Sequence, residues 1–209
     1  MFKHPFYTRK GVVASESPLA TTLGVKILEM GGNAVDASIA VSFALSVTHP
    51  HLGGLGGDYF ALMMNTNGEV TFVNGSGYAP KALSIQLMKT FGYEQMPNFG
   101  PLSAVIPGMV DGLRILWEKY GSIKWKKILN LVIESLKNGF PLSYSTARAL
   151  NSYREYLIED EGSKNTYFYA SKTYSAGDNF NFRGAIEALK LIADDPREFY
   201  EGEIASSIV

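Results

Sequence analysis

Residues 31–58 constrain the fold of this chain more than any other stretch. They begin with Gly31-Gly32-Asn33-Ala34-Val35-Asp36-Ala37 and end with Gly53-Gly54-Leu55-Gly56-Gly57-Asp58. Between Ala34 and Val47 the one formally charged residue is Asp36, and Ala and Ser lie on every side of the helical projection. A helix that is apolar or small all round is buried, whereas a surface helix carries a single apolar stripe. Pro50 cannot continue the helix and pushes His49 toward extended geometry. The glycines at 53, 54, 56 and 57 are expected to allow backbone angles and close approaches that a β-carbon forbids. Such a segment belongs at the centre of a domain, with other elements packed tightly around it.

The flanking sequence supplies those elements. Gly11-Val12-Val13-Ala14 reads as a short strand. Ser17 is an N-cap and Pro18 a first helical residue. Leu19, Leu23 and Ile27, with Ala20 and Leu28, repeat at helical spacing until Gly31-Gly32 stops the helix. Beyond the second glycine cluster, Tyr59-Phe60-Ala61-Leu62-Met63-Met64 is a continuous apolar strand. Asn67-Gly68 is a hairpin signal, and Glu69-Val70-Thr71-Phe72-Val73 alternates on the return. Asn74-Gly75-Ser76-Gly77-Tyr78-Ala79-Pro80 is a further glycine-rich turn. A helix is expected over 81–93, then a loop, then a short strand Ser103-Ala104-Val105-Ile106 ending at Pro107-Gly108.

The remainder reads as helical. Val110, Leu113, Trp117 and Tyr120 share one helix face. Trp125, Ile128, Leu129, Val132 and Leu136 share the next, closed by Gly139 and Pro141. A polar helix is expected over 144–158 and a loop-rich stretch over 159–181, with Gly177-Asp178 as a turn. Phe182, Ile186, Leu189 and Ala193 form another face, and 203–209 reads as the opening of a last helix, which suggests a chain that continues. No internal repeat, low-complexity tract or linker interrupts the 209 residues, so a single domain over 1–209, itself incomplete, is expected.

Composition narrows the function. With 19 basic and 20 acidic residues the net charge is -1, which favours neither a nucleic-acid nor an anionic-membrane partner. The absence of Cys removes disulfides, thiol nucleophiles and thiolate metal sites. The start Met1-Phe2-Lys3-His4-Pro5-Phe6-Tyr7 has neither the apolar run nor the cleavage site of a signal peptide. Residues 34–47 fall short of the roughly 20 apolar residues of a membrane span. A soluble cytoplasmic protein is the expectation.

No complete catalytic set emerges from spacing alone. His49-Pro50-His51 puts two imidazoles two residues apart across a proline, which is not a helical step, and no third ligand is evident, so no metal and no cofactor are expected. Gly75-Ser76-Gly77 lacks the G-x-S-x-G spacing of a nucleophile elbow, and no His follows it. In a phosphate loop the glycines follow a strand and open a helix; at Gly53 to Gly57 the order is reversed. Asp36, Asp58 and Asp111 are possible acids, but Asp36 and Asp111 also suit the first turn of a helix.

Val13-Ala14-Ser15 with Pro18-Leu19-Ala20, Gly31-Gly32-Asn33-Ala34-Val35-Asp36-Ala37, Thr48-His49-Pro50 and Gly53-Gly54-Leu55-Gly56-Gly57 closely resemble the N-terminal region of the gamma-glutamyltransferase family. The resemblance runs on in order through Ala79-Pro80, Pro107-Gly108, Asp111-Gly112, Tyr120-Gly121, Asn138-Gly139-Phe140, Gly177-Asp178 and Phe199-Tyr200-Glu201-Gly202-Glu203-Ile204-Ala205. It implies an α+β protein, the four-layer αββα sandwich of an N-terminal nucleophile hydrolase, cut from one precursor into a large and a small subunit. In that family the nucleophile is a Thr that begins the small subunit, its own amine serves as base, and backbone amides form the oxyanion hole. An acyl-enzyme forms from a gamma-glutamyl compound such as glutathione and passes to water or an amino acid.

Two departures qualify the resemblance. No Thr here lies in the setting of that nucleophile, so the chain resembles the N-terminal portion of a large subunit, with no catalytic residue of its own and a catalytic small subunit as partner. Typical members also carry an Arg three residues before Ala-Pro that grips the substrate carboxylate; here that position is Ser76. A hydroxyl cannot replace the bidentate, charged contact of a guanidinium. Ser76, with Gly75 and Gly77, is therefore the expected substrate-binding turn, and relatives with Gly-Ser-Gly include some that act on other small amides such as oxamate. Three readings stay open: a gamma-glutamyl hydrolase or transferase, an amidohydrolase of another small acid amide, and a non-catalytic structural subunit or fragment.

Overall fold

The computed structural model describes residues 5–168 and 173–209. His4 and the part of the 159–181 stretch at 169–172 lie outside the described residues. The chain divides into two compact units, one of Met1–Gly54 with Leu116–Val209 and one of Leu55–Ile115.

In the first unit, α1 (Pro18–Glu29) and α2 (Ala34–Thr48) start where the sequence places them. Ser17 Oγ accepts from the Ala20 amide and Pro18 takes the first position. Gly24 is the point of closest approach: a β-carbon there would lie 2.7 Å from Val41 Cγ2 and 2.8 Å from Val13 Cγ1. Ile39, Ala40, Phe43, Ala44 and Val47 of α2 are fully buried. Residues 11–14 form no strand, because no ladder partner lies beside them among the described residues.

The second unit contains β1 (Tyr59–Met64) and β2 (Val70–Gly75), paired antiparallel with Leu62 opposite Phe72 and Met64 opposite Val70. The hairpin closes through a longer turn than Asn67-Gly68 alone implies. Asn65 Oδ1 accepts from the amides of Asn67 and Glu69, and Gly68 takes φ 83°. That is the three-residue loop with a glycine bulge. One face of the hairpin is bare: Phe60, Leu62, Met64, Val70 and Phe72 are all exposed, Leu62 at 77%. Helix α3 is shorter than expected, Ile85–Thr90, capped by Ser84 and ended by Gly92 at φ 81°. The expected strand at 103–106 is instead a 3-10 turn at Pro101–Ser103 followed by Ala104 in extended backbone, and Ile106 N–H makes a ladder-like bond to the Tyr78 carbonyl at 2.8 Å. Helix α4 (Met109–Tyr120) begins in this unit and ends in the other.

The first unit continues with α5 (Trp125–Leu136), which buries Trp125, Ile128, Leu129, Val132 and Leu136 as their spacing predicts. Trp125 meets Phe43 edge-on, centroids 5.5 Å apart, and donates its indole N–H to the Ile192 carbonyl at 2.7 Å. The short strands β3 (Phe140–Pro141) and β4 (Asn179–Phe180) pair antiparallel, entered by Gly139 at φ 90°. The helix expected over 144–158 breaks at Tyr153 into α6 (Tyr144–Ser152) and α7 (Arg154–Leu157). Just before the break, the Asn151 side chain pairs with both the amide and the carbonyl of Tyr174. Within the stretch read as loop, Asp160 caps a further helix, α8 (Glu161–Tyr167), through the Ser163 amide. Helices α9 (Arg183–Asp194), α10 (Glu198–Glu201) and α11 (Glu203–Ile208) follow. No helix among the described residues is long and apolar enough to cross a membrane.

Candidate functional site

The turn singled out by the sequence sits where backbone meets backbone. A β-carbon on Gly77, which has φ 74°, would lie 1.8 Å from the Ile106 carbonyl oxygen. One on Gly75 would lie 2.8 Å from the Gly108 carbonyl oxygen, and one on Gly108 would lie 2.1 Å from that of Gly75. The end of β2 and residues 105–108 therefore cross at a spacing that only glycine permits. The amides of Gly108 and Met109 both donate to the Gly57 carbonyl, fixing the entry to α4. Ser76 is half-buried on this turn; its amide donates to Asn74 Oδ1 at 3.0 Å and its hydroxyl has no partner among the described residues. Gly75, Ser76 and Gly77 thus form one closely packed turn, whose serine hydroxyl is unpaired among the described residues. Of the possible acids, Asp111 is taken up by Arg114, 2.8 Å away.

The glycines at 53 and 54 are different. A β-carbon on either would meet nothing within 4 Å, and neither has a positive φ. In the second unit, by contrast, close approach to other backbone is concentrated at Gly75, Gly77 and Gly108.

Asp36 is structural. It is fully buried, and its carboxylate accepts from the Asn33 amide at 2.9 Å, the Ser122 amide at 3.0 Å, the Ser122 hydroxyl at 2.5 Å and the Ile123 amide at 3.3 Å. Asn33 returns a cap to the amides of Val35 and Asp36 and donates its Nδ2 to the Tyr120 carbonyl. The Gly-Gly-Asn-Ala-Val-Asp-Ala run is a clasp that ties the start of α2 to the turn before α5.

The histidines carry a feature the sequence does not reveal. His49 is buried among hydroxyls: Thr48 Oγ1 is 3.1 Å from its Nδ1, and Thr146 donates to the Thr48 carbonyl. His49 Nε2 and His51 Nδ1 are both closed off from water and neither has a hydrogen-bond partner. Burial lowers both imidazole pKa values; at His49 the neighbouring His51 lowers it further, and Glu16 acts in the opposite sense on both. Among the described residues no three His, Asp or Glu groups are arranged to hold a metal.

The fold is part of an N-terminal nucleophile hydrolase scaffold, shared with cephalosporin acylase of Bacillus halodurans at 30% identity and a TM-score of 0.88, over 99% of this chain and 41% of that one. The family model for gamma-glutamyltranspeptidase matches residues 20–209. This chain belongs to the gamma-glutamyltranspeptidase family. It is 35% identical to the glutathione hydrolase proenzyme of Escherichia coli over 98% of its own length and 36% of that protein's. It is 29% identical to an oxamate amidohydrolase proenzyme of Klebsiella pneumoniae, over 95% of this chain and 38% of the relative. Gamma-glutamyltranspeptidase of Helicobacter pylori shares its fold with a TM-score of 0.91 at 33% identity, over 98% of this chain and 60% of that one. The chain thus spans little more than a third of the length of these curated relatives.

Proposed function

We propose that this chain forms the N-terminal portion of the large subunit of a gamma-glutamyl hydrolase or transferase. In this reading a Thr outside these residues, at the start of a partner small subunit, is the nucleophile, and glutathione-like compounds are the substrates. The likeness to Helicobacter pylori gamma-glutamyltranspeptidase over nearly the whole chain carries the proposal. The turn Gly75-Ser76-Gly77 lines the acyl pocket. Its glycines hold the backbone rigidly, and the free Ser76 hydroxyl faces the substrate where family members place an Arg.

Ser76 also favours a second reading, in which the substrate is a smaller acid amide of the oxamate kind. An unpaired carboxylate is costly to bury, and a hydroxyl supplies one neutral hydrogen bond where a guanidinium supplies two charged ones. The test is Ser76→Arg in the whole protein, with kcat/KM measured for a gamma-glutamyl amide and for oxamate. A gain of about 1–3 kcal/mol for the gamma-glutamyl substrate, the size of a charge-assisted hydrogen bond, marks position 76 as the carboxylate contact. A wild type that already prefers the gamma-glutamyl substrate, and a variant that is worse at it, would remove Ser76 from the pocket.

A further inference from the structure

Asparagine is followed by glycine at Asn67-Gly68, Asn74-Gly75 and Asn138-Gly139. Such pairs are chemically labile. Asparagine is a thermolabile residue, and a glycine amide nitrogen can reach its side-chain carbonyl carbon because no β-carbon hinders the approach. The peptide between the two residues must first rotate until the nitrogen faces that carbon. A folded chain permits this only where the glycine has room and its hydrogen bonds open locally.

The structure separates the three pairs. Gly75 is wedged: a β-carbon on it would lie 2.8 Å from the Gly108 carbonyl oxygen and 3.0 Å from that of Tyr59. The Asn74 side chain is also held, accepting from the Ser76 amide at 3.0 Å. Gly139 is half-buried, and a β-carbon there would lie 2.8 Å from Asn179 Oδ1 and 2.9 Å from the Phe180 carbonyl oxygen. Neither glycine can turn its peptide without displacing these neighbours. Gly68 is different. Residues 64–70 are all exposed, and a β-carbon on Gly68 would meet nothing within 4 Å. Its amide bond to the Asn65 carbonyl, 3.1 Å long, lies at the open tip of the hairpin. Asn65 supplies the side-chain bonds of that turn, so the Asn67 side chain has no partner among the described residues.

We propose that Asn67 is a site of spontaneous deamidation, and that the folded protein directs the reaction there and away from Asn74 and Asn138. Gly68 N forms a bond to Asn67 Cγ, and its proton passes through water to the side-chain nitrogen, which leaves as ammonia. A five-membered cyclic imide remains, and water opens it. Attack at Cγ breaks the new bond and leaves aspartate. Attack at the main-chain carbonyl carbon breaks the original peptide bond and leaves isoaspartate, with the chain now running through the former side chain. Water is the sole co-reactant, and nothing is oxidised or reduced. Either product places a negative charge close to Glu69. Isoaspartate also adds one carbon to the backbone of a loop whose length is set by the bonds from the amides of Asn67 and Glu69 to Asn65 Oδ1. The reaction uses no active site and is independent of the function proposed above.

The test incubates the whole protein that carries this chain in mildly alkaline buffer, folded and, in parallel, unfolded in urea, and maps its peptides by mass spectrometry. Unfolded, the three asparagines should react at similar rates, since each precedes glycine. Folded, Asn67 is expected to give both aspartate and isoaspartate, and Asn74 and Asn138 to react more slowly than Asn67 by roughly tenfold or more, because their glycines react only after larger openings. Wild type alone decides the matter, so no variant has to fold. An Asn67 that reacts no faster than Asn74 or Asn138 in the folded protein would overturn the proposal. So would an Asn67 that reacts only in urea, which would mean that the rest of the protein covers the hairpin tip.

Discussion

Asp36 shows how much one side chain can hold in this protein. Its carboxylate accepts from the amide of its own helix cap, Asn33, and from two amides and a hydroxyl of the distant Ser122-Ile123 segment. Asp36→Ala strands those donors in a buried place, at about 1–3 kcal/mol for each one left unsatisfied. The expected loss is about 3 kcal/mol or more, read from urea unfolding of the whole protein; a loss below about 1 kcal/mol would mean water replaces the carboxylate. The glycines divide into two groups by the same reasoning. Gly77→Ala adds the cost of a left-handed backbone, about 1–2 kcal/mol, to a collision with the Ile106 carbonyl. It should lower the melting temperature and shift the crossing at Gly108. Gly53→Ala and Gly54→Ala point into open space and should stay within about 0.5 kcal/mol of wild type. A Gly54→Ala variant as damaged as Gly77→Ala would show a neighbour at that loop in the whole protein.

At the scale of elements, the hairpin of β1 and β2 is the anomaly. Its register places Leu62 against Phe72 and Met64 against Val70 on one exposed face, and Phe60 stacks on Phe72 at 6.5 Å. Contiguous apolar surface of this kind marks an interaction site or an aggregation hazard, and two strands leave both sheet edges open. The 209-residue chain on its own should therefore self-associate, and Leu62→Lys with Phe72→Lys should restore a monomeric peak in size exclusion. The same pair introduced into the whole protein should lower its stability. A wild-type chain that elutes as a sharp monomer and melts cooperatively would contradict this. The helices were legible in the sequence because each carries its own evidence: Ser17 and Pro18 for α1, Asn33 and Asp36 for α2, the spacing of Trp125 to Leu136 for α5. The strands were less so. Residues 11–14 have the composition of a strand, but a strand is a relation to a neighbouring strand, and none is beside them among the described residues. Helix α8 was missed although Asp160 is a good cap, because its body of polar residues lacks an apolar period. Gly75 to Gly77 was legible as a turn from its glycines, but a part in substrate binding came only through resemblance. The histidine pair was visible in the sequence, but the unpartnered burial of His49 Nε2 and His51 Nδ1 was not, since whether a nitrogen is partnered depends on what folds around it.

At the scale of the whole molecule, the proposed chemistry belongs to more protein than this chain. No residue described here has the surroundings of an activated nucleophile, and removing even one oxyanion donor costs roughly 10²–10³ in rate. On the function proposed above, the isolated chain should release no p-nitroaniline from a gamma-glutamyl anilide and the whole protein should; turnover that coelutes with the isolated chain would overturn the assignment of the nucleophile to other residues. The clasp at Asp36 has one more consequence, which concerns time. It joins residues 86 apart in sequence, with the whole second unit between them. At the usual 5–20 residues per second of ribosomal synthesis, Ser122 emerges about 4–17 s after Asp36. For those seconds Phe43 waits for Trp125, and the two-helix hairpin of α1 and α2 stands in the cell with its inner face unclosed. That interval, rather than any property of the finished fold, is when a chaperone has most to gain from meeting this protein.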